Sequence, residues 1–167
     1  MSSNSAITFL TVAAEISSFE RTENINPNEP YADLTPMHFA AIFGEFEICQ
    51  YIITNLDVKN PENKLSVTPL HNAAYYGHLN ICKMIIDSVE EKNPKDINGY
   101  TPFHAAAEGG YLDNCKFIMD NIQDKKPKDA NGDTPLHLAA EKGNLDISKL
   151  IINAIQEKNP GNVDGVT

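Results

Sequence analysis

The chain has 167 residues, 41% of them hydrophobic, and a formal net charge of −10. This charge argues against sequence-independent nucleic-acid binding, which needs clustered Lys and Arg, and it favours a partner with a basic or apolar surface. No stretch approaches the ~20 apolar residues of a membrane span, and residues 1–5 lack the basic cluster of a signal peptide, so we expect no direct membrane contact.

The chain is organised by a pattern that recurs every 33 residues, a signature of stacked repeat units. The sequence T-P-L-H-N-A-A begins at Thr68, and close variants of it begin at Thr35, Thr101 and Thr134. The last residue, Thr167, follows Thr134 by one further period. We therefore predict repeat units over residues 31–167, including a truncated fifth unit at Thr167, and expect the chain to be a piece of a longer array.

Residues 1–30 are less regular than the rest of the chain. The segment Thr8–Glu15 resembles Thr134–Glu141, but Phe9 replaces Pro and Thr11 replaces His. We interpret this region as a degenerate N-terminal repeat, and the alternative is an unrelated capping unit.

Each regular unit is predicted to contain two helices. In the unit that begins at Thr68, Thr is a suitable N-cap, Pro69 suits the first helical position, and Gly77 suits a helix end. A second helix follows, whose apolar residues keep helical spacing: Leu79, Cys82, Ile85, Ile86 and Val89. We predict that it ends near Lys92, before Pro94.

The units are predicted to be joined by hairpin-like loops. Asn98-Gly99, Asn131-Gly132 and Asp164-Gly165 are signals for tight turns. The loop from Asn60 to Val67 lacks this signal, so we expect it to be looser or differently shaped.

The three cysteines, Cys49, Cys82 and Cys115, are also spaced by 33 residues. Equivalent positions in stacked helices lie about 8–10 Å apart, whereas a disulfide needs Cα atoms within about 7 Å. We therefore predict small buried thiols rather than a disulfide or a metal site. Unpaired thiols indicate a reducing, intracellular and cytoplasmic setting.

The T-P-L-H-x-A-A-x-x-G core, the following L-x-I-C-K-x-I-I helix and the D-x-N-G-x turn resemble ankyrin repeats. The resemblance covers residues 31–167 and implies an all-α solenoid of helix-turn-helix units joined by hairpin-like loops. Ankyrin repeats usually end the second helix with Gly-Ala, but here those positions hold pairs such as Val89-Glu90 and Ile122-Gln123. We therefore expect second helices about one turn longer than usual, ended by the Lys-Asn-Pro element.

Four histidines, His38, His71, His104 and His137, occupy one position of the repeat. Catalysis or metal binding would be the functional interpretation, but a structural role explains all four. The resemblance implies that each one hydrogen-bonds to backbone near a hairpin. No triad, zinc motif or phosphate-binding loop is evident, so we expect no enzyme activity, no metal and no cofactor.

Ankyrin repeats usually bind partners on the concave face formed by the turn tips and first helices, so we expect the same surface here. Its varying positions give an apolar first half and an acidic second half, with these candidate partner-binding residues: Phe39, Ile42, Phe43, Tyr75, Tyr76, Tyr100, Glu108, Asp133, Glu141 and Lys142. Aromatic side chains are typical interface anchors. Alternatively, Ile42 and Phe43 pack against the N-terminal unit.

We therefore predict a monomeric, non-catalytic protein-interaction or scaffold module. Its protein partner would supply apolar residues and basic residues, and we expect no nucleic-acid partner. The alternative is the cytoplasmic regulatory segment of a larger enzyme or membrane channel, whose activity would lie outside this chain.

Overall fold

The computed structural model describes residues 34–56 and 59–157. The predicted degenerate unit within residues 1–30 and the opening of a fifth unit at Thr167 lie outside these ranges. The described residues contain eight helices and no strand, which confirms the all-α repeat fold. The helices are α1 (Pro36–Phe43), α2 (Phe46–Leu56), α3 (Pro69–Tyr75), α4 (Leu79–Ser88), α5 (Pro102–Gly109), α6 (Leu112–Asn121), α7 (Pro135–Glu141) and α8 (Leu145–Glu157).

The helices form four pairs, which we call units 1 to 4, beginning at Thr35, Thr68, Thr101 and Thr134. Every first helix (α1, α3, α5, α7) starts with a Thr-Pro pair, and its histidine caps it. In unit 2, Nδ1 of His71 accepts a hydrogen bond from the backbone N–H of Thr68 at 3.1 Å. The bond satisfies a backbone donor that the helix cannot satisfy itself, and the proline removes another.

The core lies between the stacked units. Each first helix packs against the next first helix, and each second helix (α2, α4, α6, α8) packs against the next second helix. Small residues such as Ala73 and Ala74 are fully buried and allow this close approach. Cys49, Cys82 and Cys115 are free and fully buried, as predicted, and burial raises the pKa of each thiol to about 12.

The same histidines also tie each unit to the loop that follows it. Nε2 of His38, His71 and His104 donates to the carbonyl oxygens of Val67, Tyr100 and Asp133 at 2.9, 3.2 and 3.1 Å. Because Nδ1 accepts and Nε2 donates, each ring is neutral, and burial lowers the pKa of all three, to about 4 in His71. The structural role predicted for this position is confirmed in units 1 to 3.

The predicted ends of the second helices are wrong in units 2 and 3. Helix α4 ends at Ser88 and α6 at Asn121, several residues before the Lys-Asn-Pro or Lys-Lys-Pro element. Val89 and Ile122, the residues that follow, are extended, with ψ angles of 154° and 155°. Both are β-branched and pack on the core, so their side chains favour the extended turning point.

The extended exit has a structural consequence for the next unit. It carries Asn93 to the start of α5, where its Oδ1 accepts a hydrogen bond from the backbone N–H of Phe103 at 3.1 Å. Asn60 makes the same bond to Leu70 at the start of α3. The Lys-Asn-Pro element therefore caps the following helix and does not end the preceding one.

The expectation of a different first loop is also wrong. Asn63 Oδ1 accepts from the backbone N–H groups of Leu65 and Val67, as Asp96 Oδ1 accepts from those of Asn98 and Tyr100. Ser66 adopts the left-handed conformation (φ 56°) that Gly99 adopts in the next loop. The turn is thus preserved because a serine accepts a strained backbone conformation.

Candidate functional site: the surface at the ends of the first helices

The predicted partner-binding residues lie mainly at the carboxyl ends of the first helices, on successive units. Phe43 ends α1 and is 70% exposed. Tyr75 and Tyr76 end α3, and each is 42% exposed. Phe39 and Ile42 are only partly buried on α1, and Ile42 uses its carbonyl oxygen to bind Nε2 of His78 at 3.0 Å.

Tyr75 and Tyr76 form an ordered pair. Their rings meet edge to face, with centroids 5.2 Å apart and an interplanar angle of 81°. Such a pair is favourable for aromatic rings and fixes both side chains relative to the helix end. The structure therefore presents two amphipathic rings that are each partly exposed to solvent.

Three of the predicted residues form a hydrogen-bonded chain across units 2, 3 and 4. The Tyr100 hydroxyl donates to Oε2 of Glu108 at 2.6 Å, and Nζ of Lys142 lies 3.2 Å from Oε1 of the same carboxylate. Burial, and then the bond to Glu108, raise the pKa of Tyr100. The Tyr100 ring also stacks on His104, with centroids 5.4 Å apart. Tyr100 and Glu108 thus hold neighbouring units together.

The rest of the predicted acidic half is more open. Glu141 and Lys142 are exposed at the end of α7. Asp133 is about half exposed, and its Oδ1 lies 3.9 Å from Nδ1 of His137. Because Glu108 is neutralised by Lys142, the available negative charge at this end comes mainly from Asp133 and Glu141.

Sequence reasoning missed Tyr111, which lies beside the tyrosine pair. A Cβ built on Gly77 would come within 2.3 Å of the Tyr111 ring, so this ring lies directly on the Gly77 backbone and reaches from unit 3 to unit 2. It remains 41% exposed. The equivalent residue of unit 2, His78, lies on Gly44 in the same way. The 33-residue period places His78 and Tyr111 at the same position of the repeat, but the contact with the preceding glycine is visible only in the structure.

Within residues 34–56 and 59–157, no three His, Cys, Asp or Glu side chains gather as a metal site requires. None of the helices in this part of the chain is both long and apolar enough to cross a membrane.

Comparison with known proteins agrees with the architecture. The family description of ankyrin repeats (3 copies) matches residues 6–96 and 87–162. No curated protein matches the chain. Ankyrin repeats are generally protein–protein interaction modules and are typically non-catalytic. Since the two matched segments cover most of the sequence, and the described helices show the same repeat, the chain belongs to the ankyrin-repeat family.

Proposed function

We propose that this chain is a non-catalytic scaffold module that binds a partner protein on the concave face, at the ends of its first helices. The observation that carries the proposal is the exposure of aromatic side chains at the ends of α1 and α3. Phe43 is 70% exposed, and Tyr75 and Tyr76 are each 42% exposed. Large rings that are already ordered lose little entropy on binding, which suits them as anchors.

The recurring and the varying positions of the repeat have different roles, which supports this assignment. In units 2 and 3, the recurring Thr, His and Cys residues are buried, and they are used in caps, unit-to-loop bonds and the core. At the exposed ends of the first helices, by contrast, the residues differ between units. Fold and recognition therefore use different positions, and partner specificity can vary without loss of the array.

The charges of the surface define the expected partner. An apolar segment of the partner would cover the tyrosine pair, and basic side chains would lie near Asp133 and Glu141. Glu108 contributes less than the sequence suggested, because Lys142 and Tyr100 already bind its carboxylate. Exposed charges of this kind mainly affect association rate and orientation.

The test is a double substitution, Tyr75→Ala with Tyr76→Ala, in the full chain. A partner captured by the unmodified chain is purified, and its affinity is measured by calorimetry. We expect a loss of more than about 2 kcal/mol of binding free energy, because the double substitution removes the anchor. Far-UV circular dichroism should be unchanged, since both residues are at a helix end and each is 42% exposed.

The matched control substitutes two other exposed apolar residues, Leu56→Ala with Ile152→Ala, which lie on second helices. This variant should bind as the unmodified chain does. Equal affinity of the tyrosine variant and the unmodified chain for the purified partner would refute the proposed site.

A further inference from the structure

We infer that the partner segment bound by this chain is a basic amphipathic helix, and that it lies along an aromatic ridge which extends the tyrosine pair to Tyr111 and Leu112. This inference rests on the proposed function and specifies its ligand. We define the aromatic ridge as Phe43, Tyr75, Tyr76, Tyr111 and Leu112.

The ridge spans three units because a side chain of units 2 and 3 lies on the backbone of the preceding unit. The Tyr111 ring lies on Gly77, directly after Tyr76 in the chain, and a Cβ on Gly109 would come within 2.3 Å of the Tyr75 carbonyl oxygen and 3.0 Å of Tyr111 Cδ2. In the same way, His78 lies on Gly44, directly after Phe43. The side chain at this position of the repeat therefore bridges unit 2 to unit 1 (His78) and unit 3 to unit 2 (Tyr111).

The ridge changes character at unit 4. There, Asn144 replaces the ring, and its Nδ2 donates to the Ala107 carbonyl oxygen at 2.9 Å. The residue equivalent to Tyr76 is Lys142, which is bound to Glu108. The apolar surface thus has a defined length of three units, or roughly 20 Å at the usual 8–10 Å between packed helices.

Exposed acidic residues lie close in sequence to the two ends of the ridge, Phe43 and Leu112. Glu47 and Asp113 are exposed in the first turns of α2 and α6, one residue beyond Phe46 and Leu112. Glu45 is exposed in the connection between α1 and α2. Lys142, the basic residue at the far end of the ridge, is already paired with Glu108. A ligand that combines an apolar stripe with flanking Lys or Arg therefore complements the surface.

The conformation of the ligand follows from the absence of a row of free backbone hydrogen-bonding groups along the ridge. It is made of side chains at helix ends, so it offers no row of backbone donors and acceptors to which an extended segment could add a strand. A helix satisfies its own backbone and needs only an apolar face. A helix of about 14 residues is roughly 20 Å long, and residues one heptad apart are separated by about 10 Å, close to the spacing of the units.

The experiment uses the full chain and three synthetic 14-residue peptides, each with one tryptophan. The chain itself has no tryptophan, so peptide fluorescence reports binding directly. The first peptide contains Leu, Lys and Ala arranged with one apolar helical face, the second is a scrambled version with the same composition, and the third has Glu in place of Lys. We expect the first peptide to bind at least tenfold more tightly than either of the others and to gain helicity in difference circular dichroism.

Two substitutions locate the bound peptide. Tyr76→Ser and Tyr111→His should each weaken binding about tenfold, which corresponds to about 1.4 kcal/mol. Histidine is chosen at position 111 because His78 shows that an imidazole fits on the glycine of the preceding unit. Glu47→Gln with Asp113→Asn should weaken binding severalfold and reduce its salt dependence. The control Leu56→Ala with Ile152→Ala should change nothing.

Each result decides the inference. Equal binding of the amphipathic and scrambled peptides, binding without a gain of helicity, no binding of any peptide, or indifference to Tyr111→His would each overturn it. The proposed function would still stand if the natural partner loses affinity on the double substitution of Tyr75 and Tyr76. If that substitution has no effect on the natural partner, then the proposed function itself has failed.

Discussion

The backbone of Ser66 is held in a conformation that costs folding free energy, and the repeat tolerates this cost. Its φ angle of 56° lies in the left-handed region, where Gly99 and Gly132 occupy the equivalent positions of the next two loops. For a residue with a Cβ, this conformation costs on the order of 1 kcal/mol or more. The first loop is therefore correctly shaped but strained.

We predict that Ser66→Gly raises the free energy of unfolding by about 1 kcal/mol, because it relieves this strain. The measurement is urea unfolding followed by circular dichroism. The matched control is Gly132→Ser, where an added Cβ would meet no atom within 4 Å, so its cost is conformational alone. It should lower stability by a similar amount. A neutral or destabilising effect of Ser66→Gly would show that the serine makes a compensating interaction.

Asn114 is a second residue that pattern analysis did not identify. It occupies the position held by Ile48, Ile81 and Ile147 in the other units, and it is 2% exposed. Its Nδ2 lies 3.3 Å from Cys82 Sγ and 3.4 Å from the Ala73 carbonyl oxygen. A helical period predicts that this position is buried, but not that an amide there finds partners on the preceding unit.

At the level of elements, the starts of helices were easier to predict than their ends. The Thr-Pro-x-His sequence holds the N-cap threonine, the first-position proline and the capping histidine of a first helix within four residues. The end of α4 depends instead on the packing of Val89 against the core and on the use of Asn93 by α5. These are contacts between units, and hydrophobic periodicity along one segment contains no information about them.

Asn93 leads to a prediction about helix α7. In the loop before α7, Lys126 occupies the position of Asn60 and Asn93, and a lysine cannot accept the hydrogen bond that those side chains accept. The backbone conformations of the two loops are comparable. The backbone N–H of Lys126 donates to Asp124 Oδ1 at 2.8 Å, and the backbone N–H of Asn93 donates to Glu91 Oε1 at 2.9 Å. We predict that Lys126→Asn stabilises the chain by about 0.5–1 kcal/mol and that Asn93→Ala destabilises it by about 1 kcal/mol.

Hydrogen exchange tests this prediction at one amide. Exchange of the Leu136 N–H, which is equivalent to the bonded N–H of Phe103, should slow in Lys126→Asn. The control Lys126→Ala removes the same positive charge without adding an acceptor, and it should leave that exchange rate unchanged. If both variants behave alike, the effect is electrostatic and the capping argument is wrong.

For the whole molecule, the repeat itself could be predicted from sequence, whereas the surface that joins the units could not. The period assigned Tyr75 and Tyr76 to neighbouring exposed positions. It did not show that Tyr111 leans back over Gly77, or that Tyr100, Glu108 and Lys142 form one chain of bonds, because those contacts depend on side-chain conformations across unit boundaries. Hydrogen bonds between a unit and the loop that follows it also determine how the stability of the array depends on pH.

Three neutral histidines hold successive units to their loops, so acid should weaken the whole array. Their folded pKa values are lowered by burial, to about 4 in His71, from an ordinary value of 6.5. The stability they contribute is therefore complete above about pH 6.5 and is lost as the pH falls below 6.5 through their lowered folded pKa values, since the unfolded chain then binds more protons. Each histidine adds a slope of up to about 1.4 kcal/mol per pH unit.

The buried thiols limit the stability of the array at alkaline pH. Their folded pKa values are raised from 9.0 to about 12, so the stability that they contribute is complete below about pH 9 and is lost as the pH rises towards 12.

We therefore predict a plateau of maximal stability between about pH 7 and 8, with losses on both sides. Calorimetric unfolding at pH 5.5, in buffers of different ionisation enthalpy, should detect an uptake of about one proton by His71 and a further uptake by His38 and His104. Proton release on unfolding, or equal stability at pH 7 and pH 5, would mean that the histidines are charged in the folded array, and then Nδ1 could not accept the bond from threonine that begins each first helix.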